Sequence, residues 1–288
     1  MKISNHTDRL EGRFGAVSAV RMTAEAGFEA IDYSMYTPDG AVFSRGGSIL
    51  VKEMRKVADG LGVVFNQAHA PFAKFKPGAE YEAENRKIFN SMRRSLEIGA
   101  ELGAAAVVIH PAFICPHITA DERFEMNMEI YSRLLPVAKE LDVRIAIENM
   151  YGRHRDDNSK IIKNVCSDAD ELIRYVDALD SYYATACLDV GHAGLVGESA
   201  DKMIRALGAR VTAIHVHDNN FVTDEHTLPY FGTVNFDKVC EALVEIGYRG
   251  DMTLEADGFI RDLPDELVPA ALTFMAKTAE YLRAKVDV

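Results

Sequence analysis

The chain has 288 residues and a mass of 31.9 kDa, and its 48% hydrophobic and 26% charged residues are typical of a globular protein. Its 32 basic and 44 acidic residues give a formal net charge of -12, which excludes a general electrostatic affinity for nucleic acid or for an anionic membrane. The apolar stretch 102–120 is interrupted by prolines and histidines, so it is not expected to span a membrane.

The N-terminal segment and the cysteines indicate the compartment. Residues 1–15 lack the continuous apolar core of a signal peptide, which predicts a cytoplasmic protein. The four cysteines form no CxxC pair, which predicts reduced, mostly buried thiols rather than a disulfide framework or a thiolate zinc site. They are Cys115, Cys166, Cys187 and Cys240.

Short apolar runs alternate with longer amphipathic stretches along the whole chain. Eight runs predict strands, at Lys2–Asn5, Glu29–Tyr33, Val63–Gln67, Ala106–His110, Arg144–Glu148, Ala184–Asp189, Ala213–His217 and Met252–Glu255. Alternation of eight strands with helices predicts an α/β fold with a single (β/α)₈ TIM barrel, and one domain covering residues 1–288. An open doubly wound sheet is the alternative, but no Gly-rich nucleotide motif follows a strand.

A side chain that can bind a metal closes six of the eight predicted strands. In chain order these residues are His69, His110, Glu148, Asp189, His215 and Glu255. Their successive spacings of 41, 38, 41, 26 and 40 residues are close to one strand-helix unit each. Any one of them alone is read more simply as a strand cap or turn residue. Because barrel active sites lie at the C-terminal ends of the strands, the six together predict one convergent site.

Four of these residues predict a metal centre. Three carboxylates and one imidazole suit a hard or borderline divalent cation, whereas the carboxylates alone would repel one another. The predicted cofactor is one divalent ion, with Mn²⁺ as the first choice and Mg²⁺, Co²⁺ or Zn²⁺ as alternatives. The predicted ligands are Glu148, Asp189, His215 and Glu255.

Further polar residues lie beyond two of the strands. His192, in the sequence LDVGHAG, is expected to be a substrate ligand or a second-metal ligand, with a solvated loop histidine as the alternative. His217 shares a strand face with His215 but lies nearer the mouth, and His215 is preferred as the metal ligand. Asp224 and His226 are expected to hold a further metal or a substrate hydroxyl, unless they are ordinary polar loop residues.

Five short motifs carry a family resemblance. They are IAIEN at 145–149, CLDVGHA at 187–193, IHVHDN at 214–219, DEH at 224–226 and LEAD at 254–257. Together they resemble the xylose-isomerase-like TIM-barrel superfamily, which includes ketose 3-epimerases, inosose isomerases and dehydratases, hydroxypyruvate isomerases and endonuclease IV enzymes. The resemblance covers nearly the whole chain and is specific for the fold and the metal site, but not for the substrate.

The resemblance implies roles for individual residues. The four predicted ligands would share one metal, and Glu148 and Glu255 would also act as acid and base on opposite faces of a sugar. His192 would hydrogen-bond or polarise a substrate oxygen, so Glu148, Glu255 and His192 are the candidate catalytic residues. A homo-oligomer that pairs through helices is common among such barrels, although the sequence shows no apolar stripe for it.

Endonuclease IV enzymes hold three zinc ions, and their remaining ligands also have matches in this chain. The matching residues are His69, His110, His192, Asp224 and His226. The loops after the third, sixth and seventh predicted strands contain few Arg or Lys residues, which disfavours nucleic acid as a partner. The loop after the fifth strand contains Arg153 and is expected to bind one sugar phosphate or carboxylate, unless it is a solvated charged loop.

The preferred function is a metal-dependent sugar or polyol isomerase or epimerase that transfers a proton next to a carbonyl. The metal would stabilise an enediolate while Glu148 and Glu255 remove and return the proton. The substrate contacts are assigned to His69, His110, His217, Asp224, His226 and Arg153. The alternatives are a dehydratase or lyase using the same site, a multi-zinc phosphodiesterase, and a non-catalytic sugar-binding barrel.

Overall fold

The computed structural model describes residues 1–72, 74–76, 78–112, 118–154, 156–157 and 159–287. The strands are β1 Ile3–His6, β2 Ala30–Ser34, β3 Val64–His69, β4 Ala106–Val108, β5 Arg144–Glu148, β6 Tyr151–Arg153, β7 Ile161–Lys163, β8 Ala184–Asp189, β9 Val211–Val216 and β10 Met252–Leu254. The helices are α1 Asp8–Phe14, α2 Ala16–Glu25, α3 Gly47–Leu61, α4 Glu82–Leu102, α5 Ala120–Leu141, α6 Ala169–Leu179, α7 Val190–Leu195, α8 Ala200–Leu207, α9 Phe236–Glu245 and α10 Val268–Val286.

Eight strands form a closed barrel in the order β1-β10-β9-β8-β5-β4-β3-β2, and every neighbouring pair is parallel. The barrel closes where β1 meets β10, with Ile3 opposite Met252. The predicted (β/α)₈ barrel is therefore confirmed. Each predicted strand lies within two residues of an observed strand at both ends.

A small antiparallel hairpin of β6 and β7 lies outside the barrel and was not predicted. It connects the end of β5 to α6, and it pairs Arg153 with Ile161. Its strands have three residues each, which is too short for an alternating pattern to be recognised in the sequence. The hairpin brings Arg153 to the same end of the barrel as the end of β5.

Small side chains fill the barrel interior below the predicted ligands. Ala106, Val108, Ala146, Cys187 and Ala213 form this inner cluster, while the main core lies between the barrel and the helices. Side chains two residues apart on a strand face the same way. Three of the small residues are therefore each followed, two positions later, by a predicted metal ligand that also faces inward. The pairs are Ala146 and Glu148, Cys187 and Asp189, and Ala213 and His215.

The predicted burial of the cysteines can be compared with the part of the chain that the structure describes. Cys166, Cys187 and Cys240 are buried and free, whereas Cys115 lies outside the described residues. Within the described ranges, no helix combines the length and apolar character needed to cross a membrane.

Glu11 on α1 gives the fold a testable pH dependence. Burial raises the pKa of Glu11 from 4.5 to about 7, and the hydrogen bond from the Tyr33 hydroxyl, at 3.2 Å, opposes the rise. The folded chain holds the Glu11 proton more tightly than the unfolded chain. The free energy of unfolding therefore decreases as the pH rises from 4.5 to about 7.

Glu11→Gln should remove this pH-dependent loss. We expect the variant to be more stable than the wild type by about 2 kcal/mol at about pH 8, and to differ little at about pH 5. Urea unfolding at both pH values measures the difference, with exposed Glu25→Gln on α2 as the matched control. An equal stability change at both pH values would contradict the prediction.

Candidate active site

The C-terminal ends of the barrel strands open into a cavity of about 730 Å³. Glu148, His192, His226 and Glu255 line this cavity, together with the rings of Tyr36 and Phe72. A volume of this size is in the range of small-molecule binding sites. The cavity is therefore the place where the predicted site residues can meet a ligand.

His215 lies at the centre of the site, and its two ring nitrogens face different partners. Nδ1 is 3.2 Å from Glu148 Oε1 and 3.0 Å from Glu255 Oε2. Nε2 is 3.2 Å from Asp32 Oδ2. A metal at Nδ1 requires the ring hydrogen on Nε2, and Asp32 is the acceptor that would fix this tautomer and the ring orientation.

The four predicted metal ligands meet at one point. One ligand atom from each of Glu148, Asp189, His215 and Glu255 lies within 4.8 Å of the others, and all four side chains are buried. Three buried carboxylates and one imidazole form a donor set for a divalent cation. The sequence singled out these residues from strand ends alone, and the fold brings them together.

Glu148 has separate partners for its two oxygens. Its Oε2 is 2.7 Å from His110 Nε2 and 3.3 Å from His69 Nε2, while its Oε1 faces His215. Burial would raise the pKa of Glu148, but the charges of His215 and His110 outweigh burial and lower it well below its usual range. Glu148 is therefore an ionised carboxylate within a ring of imidazoles.

Glu255 is held in a similar way by a phenol. The Tyr36 hydroxyl donates a hydrogen bond to Glu255 Oε1, leaving Oε2 to face His215. Burial first, and then the charge of Glu255, raises the pKa of Tyr36 well above its usual value, so Tyr36 stays a donor. The Tyr36 ring also packs against His69 and Phe72, with centroid distances of 4.5 and 4.9 Å.

A second group of metal-ligand side chains lies beside the first, formed by His192, His217, Asp224 and His226. The rings of His217 and His226 stack at 3.9 Å with an interplanar angle of 7°. Asp224 Oδ2 is 3.0 Å from His226 Nε2 and 3.6 Å from His192 Nε2. His217 Nε2 is 2.9 Å from Asp189 Oδ1, so Asp189 connects the two groups.

The electrostatics of this second group depend on Asp224. Burial would lower the pKa of His192, but Asp189 and Asp224 raise it to about 10. Burial would also lower the pKa of His226, but the charge of Asp224 outweighs burial and raises this pKa well above its usual value. The protons on these histidines neutralise the carboxylate charge. A divalent cation bound by the same atoms would take the place of those protons.

The buried carboxylate of Asp218 accepts hydrogen bonds from both ends of the loop that carries Asp224 and His226. Its Oδ1 accepts hydrogen bonds from the backbone N–H groups of Asn219 and Val234, both at 2.9 Å. Its Oδ2 accepts from the N–H groups of Tyr230 at 3.0 Å and Gly232 at 2.9 Å. Asp218 therefore joins the two ends of the loop over residues 219–234.

The six residues predicted to contact the substrate lie at two different depths in the site. His110, Arg153, Asp224 and His226 line the cavity. His69 and His217 are fully buried, and they contact Glu148 and Asp189 respectively. The sequence could not separate these two depths, because all six residues follow or flank predicted strands.

Several polar residues around the ligands were not predicted as site residues. Asn149 accepts from the Asp189 N–H at 2.7 Å and donates to the Asp189 carbonyl oxygen at 2.9 Å, which ties the end of β5 to the end of β8. Gln67 Nε2 donates to Asp32 Oδ2 at 2.9 Å. His6 is buried at the end of β1, and neither ring nitrogen has a hydrogen-bond partner among the described residues. The predicted first strand ended at Asn5, which concealed His6 as a strand-end residue.

A sequence model described as "Xylose isomerase-like TIM barrel" matches residues 20–278. The chain belongs to this xylose isomerase-like TIM-barrel family. An uncharacterised relative from Methanocaldococcus jannaschii is 29% identical over 192 residues, which are 65% of this chain and 62% of the relative. A probable endonuclease 4 from Streptomyces avermitilis is 27% identical over 174 residues, which are 55% of this chain and 52% of that protein. Both matches cover less than two thirds of the relative's length.

Solved structures of the xylose isomerase-like fold match over almost the whole chain. A D-tagatose 3-epimerase-like protein has a TM-score of 0.76 and 23% identity, with 99% of this chain and 100% of that chain covered. Further sugar 3-epimerases match with TM-scores of 0.70 to 0.75 at 17 to 18% identity. Likeness at this level of identity establishes the fold, and it agrees with the superfamily resemblance seen in the sequence.

Proposed function

We propose that this xylose isomerase-like barrel is a divalent-metal-dependent isomerase or epimerase of a sugar or polyol, acting by proton transfer next to a carbonyl. One observation carries the proposal: Glu148 and Glu255, from two separate strands, approach the same atom, His215 Nδ1, at 3.2 and 3.0 Å. Two carboxylates beside one bound substrate can remove and return a proton in turn. The sugar 3-epimerases that share the fold support the same class of reaction.

The metal would be held by Glu148, Asp189, His215 and Glu255. This assignment fits because three buried carboxylates lie within 4.8 Å of one another and of a His215 ring nitrogen, and because His215 Nε2 faces Asp32. A divalent cation bound there supplies Lewis acidity, which stabilises negative charge on substrate oxygens. Mn²⁺ is our first choice, with Mg²⁺, Co²⁺ and Zn²⁺ as alternatives.

The chain's own residues orient the two carboxylates for proton transfer. The Tyr36 hydroxyl holds Glu255 Oε1, and His110 Nε2 holds Glu148 Oε2. The other oxygen of each glutamate faces His215 Nδ1. Each carboxylate therefore has one oxygen fixed by a neighbour, and rotation away from the reacting carbon is restricted.

His192 is proposed to bind a substrate oxygen. Its Nδ1 is 3.0 Å from the Asn149 carbonyl oxygen, an acceptor that orients the ring, and the residue lines the cavity. Phe72 and Met150 add apolar surface to the cavity, against which the carbon face of a sugar can pack. These contacts would orient the carbonyl relative to Glu148 and Glu255.

Deuterium exchange tests the proposal. Protein purified without a chelator or a His-tag should contain about one divalent ion per chain by elemental analysis. When ketoses, inososes and keto-glycosides are incubated with it in deuterated water, we expect deuterium at the carbon next to the carbonyl. Incorporation should stop when the metal is removed and resume when it is restored. No exchange in the whole panel by metal-loaded protein would reject the proposal.

Multi-metal phosphodiester hydrolysis is a second candidate function. It is favoured by the second group of His192, His217, Asp224 and His226, and by the endonuclease 4 relative. In this case His69 and His110, which contact Glu148, would also be metal ligands. Two to three zinc ions per chain and cutting of an abasic-site duplex would support it. Failure to cut that duplex with zinc present would exclude it.

A further inference from the structure

We propose that the sugar substrate carries one anionic group, a phosphate or a carboxylate, and that this group binds a cationic rim at the cavity mouth. The rim is formed by Arg9, Lys74, Arg153 and Arg261. This inference rests on the proposed function for the identity of the rest of the substrate. The rim itself rests on the charges and contacts described next.

The rim reverses the charge balance of the chain. The protein as a whole has 44 acidic and 32 basic residues, yet four cations line this one cavity. Among the described lining residues outside the two metal-ligand groups, the acids are Asp8 and Asp257. The other three lining carboxylates, Glu148, Asp224 and Glu255, belong to the metal-ligand groups. The rest of the lining therefore has four cations and two acids, and an excess of positive charge attracts an anionic ligand.

Arg9 and Arg261 lie in one sector of the mouth, because they follow β1 and β10, which are neighbours in the barrel. Arg9 Nε is 3.1 Å from Asp257 Oδ2, an ion pair without the alignment of a hydrogen bond. Arg261 donates from Nη2 to the main-chain oxygen of Glu225 at 3.3 Å, a neutral acceptor that does not cancel its charge. Within the part of the chain that the structure describes, neither Arg261 nor Lys74 forms an ion pair.

The part of the rim formed by Arg9 and Arg261 suits a single anionic group on a small molecule, whereas Arg153 follows β5, four strands from β1, and adds positive charge to the mouth. An arginine guanidinium presents parallel N–H donors that match the oxygens of a phosphate or carboxylate. Arg261 lies six residues beyond Glu255, at the same end of the barrel, so an anion bound there lies beside the proposed proton-transfer site. A duplex would need cations that continue far beyond the mouth, and the overall excess of acidic residues opposes this.

Binding of inorganic phosphate tests the rim directly. We expect phosphate to bind metal-loaded wild-type protein in calorimetry, and Arg261→Gln to weaken the binding about tenfold. The double variant Arg153→Gln/Arg261→Gln should bind still more weakly. Arg21→Gln, an exposed arginine on α2, removes the same charge away from the mouth and should bind as the wild type does. Equal phosphate binding by Arg261→Gln and the wild type would overturn the inference.

Substrate preference tests whether the rim recognises the sugar. We expect a ketose phosphate or a uronate to be exchanged with at least about tenfold higher kcat/KM than the neutral ketose, and Arg261→Gln to remove this preference mainly through KM. Comparison of the ketose phosphate with the uronate distinguishes a phosphate from a carboxylate as the bound group.

Equal exchange of neutral and charged sugars would overturn the inference and leave the proposed function standing. Arg261-dependent phosphate binding without any sugar exchange would support the rim and reject the proposed function. Arg261-dependent binding of an abasic duplex in preference to these sugars would overturn the inference in favour of nucleic acid.

Discussion

Glu148→Gln should lower the rate of deuterium exchange into the substrate by about 10²- to 10⁴-fold. The substitution preserves the shape of the side chain but removes the charge that faces His215, His110 and His69. It also replaces one of the four proposed metal ligands with a weaker neutral donor. Both effects act in the same direction, and proton NMR in deuterated water measures the combined loss.

The metal content of the variant separates these two roles of Glu148. Loss of exchange with the metal retained would identify the Glu148 carboxylate as the proton-transfer group. Loss of both exchange and metal would show that the carboxylate is needed to bind the metal. Glu255→Gln should give a loss of similar size, because Glu255 occupies the corresponding position at His215. Glu140→Gln, on the exposed surface of α5, is the matched control and should have wild-type activity. Wild-type exchange by Glu148→Gln would disprove the proposed role.

Asp218→Asn should lower the free energy of unfolding by about 3 kcal/mol, since it leaves buried backbone N–H groups without acceptors. The carboxylate accepts four N–H groups, two on each oxygen. An asparagine side chain keeps only one of the two acceptor oxygens. Its NH₂ group would take the place of the other oxygen and would face two backbone N–H donors. Asp218 is fully buried, so water cannot replace the lost acceptor without a change in the loop.

The effect of Asp218→Asn should be concentrated in the loop over residues 219–234. Urea unfolding measures the stability change, and limited proteolysis should show faster cleavage within this loop. Exposed Asp262→Asn is the matched control, and neither measurement should change for it. Wild-type stability and cleavage would show that the four hydrogen bonds are dispensable.

The sequence predicted the barrel and the inward-facing residues proposed as ligands because both follow from simple periodicities. Apolar runs marked the strands, and the residue closing each run lies at the end of the barrel where Glu148, Asp189 and Glu255 meet His215. Asp32 was concealed because it lies inside the apolar run of β2, where a sequence pattern does not distinguish an inward carboxylate from an outward one.

Other features depend on three-dimensional neighbours that local patterns do not contain. Arg9 and Arg261 are far apart in sequence, and they share one rim only because β1 closes the barrel against β10. The stacking of His217 on His226 depends on the path of the loop over residues 219–234, which Asp218 holds through hydrogen bonds to its backbone. The β6–β7 hairpin has too few residues per strand to give a periodic signal.

The pairing of β1 with β10 also determines when the proposed metal-ligand set can be complete during synthesis. The pairing places Ile3 opposite Met252, so the barrel cannot close until β10 has left the ribosome. His69, His110 and Glu148 can meet earlier, but Glu255 follows the last strand and is the final ligand to arrive. A chain whose barrel is still open therefore holds only part of the proposed donor set. The complete set is reached only when the barrel closes.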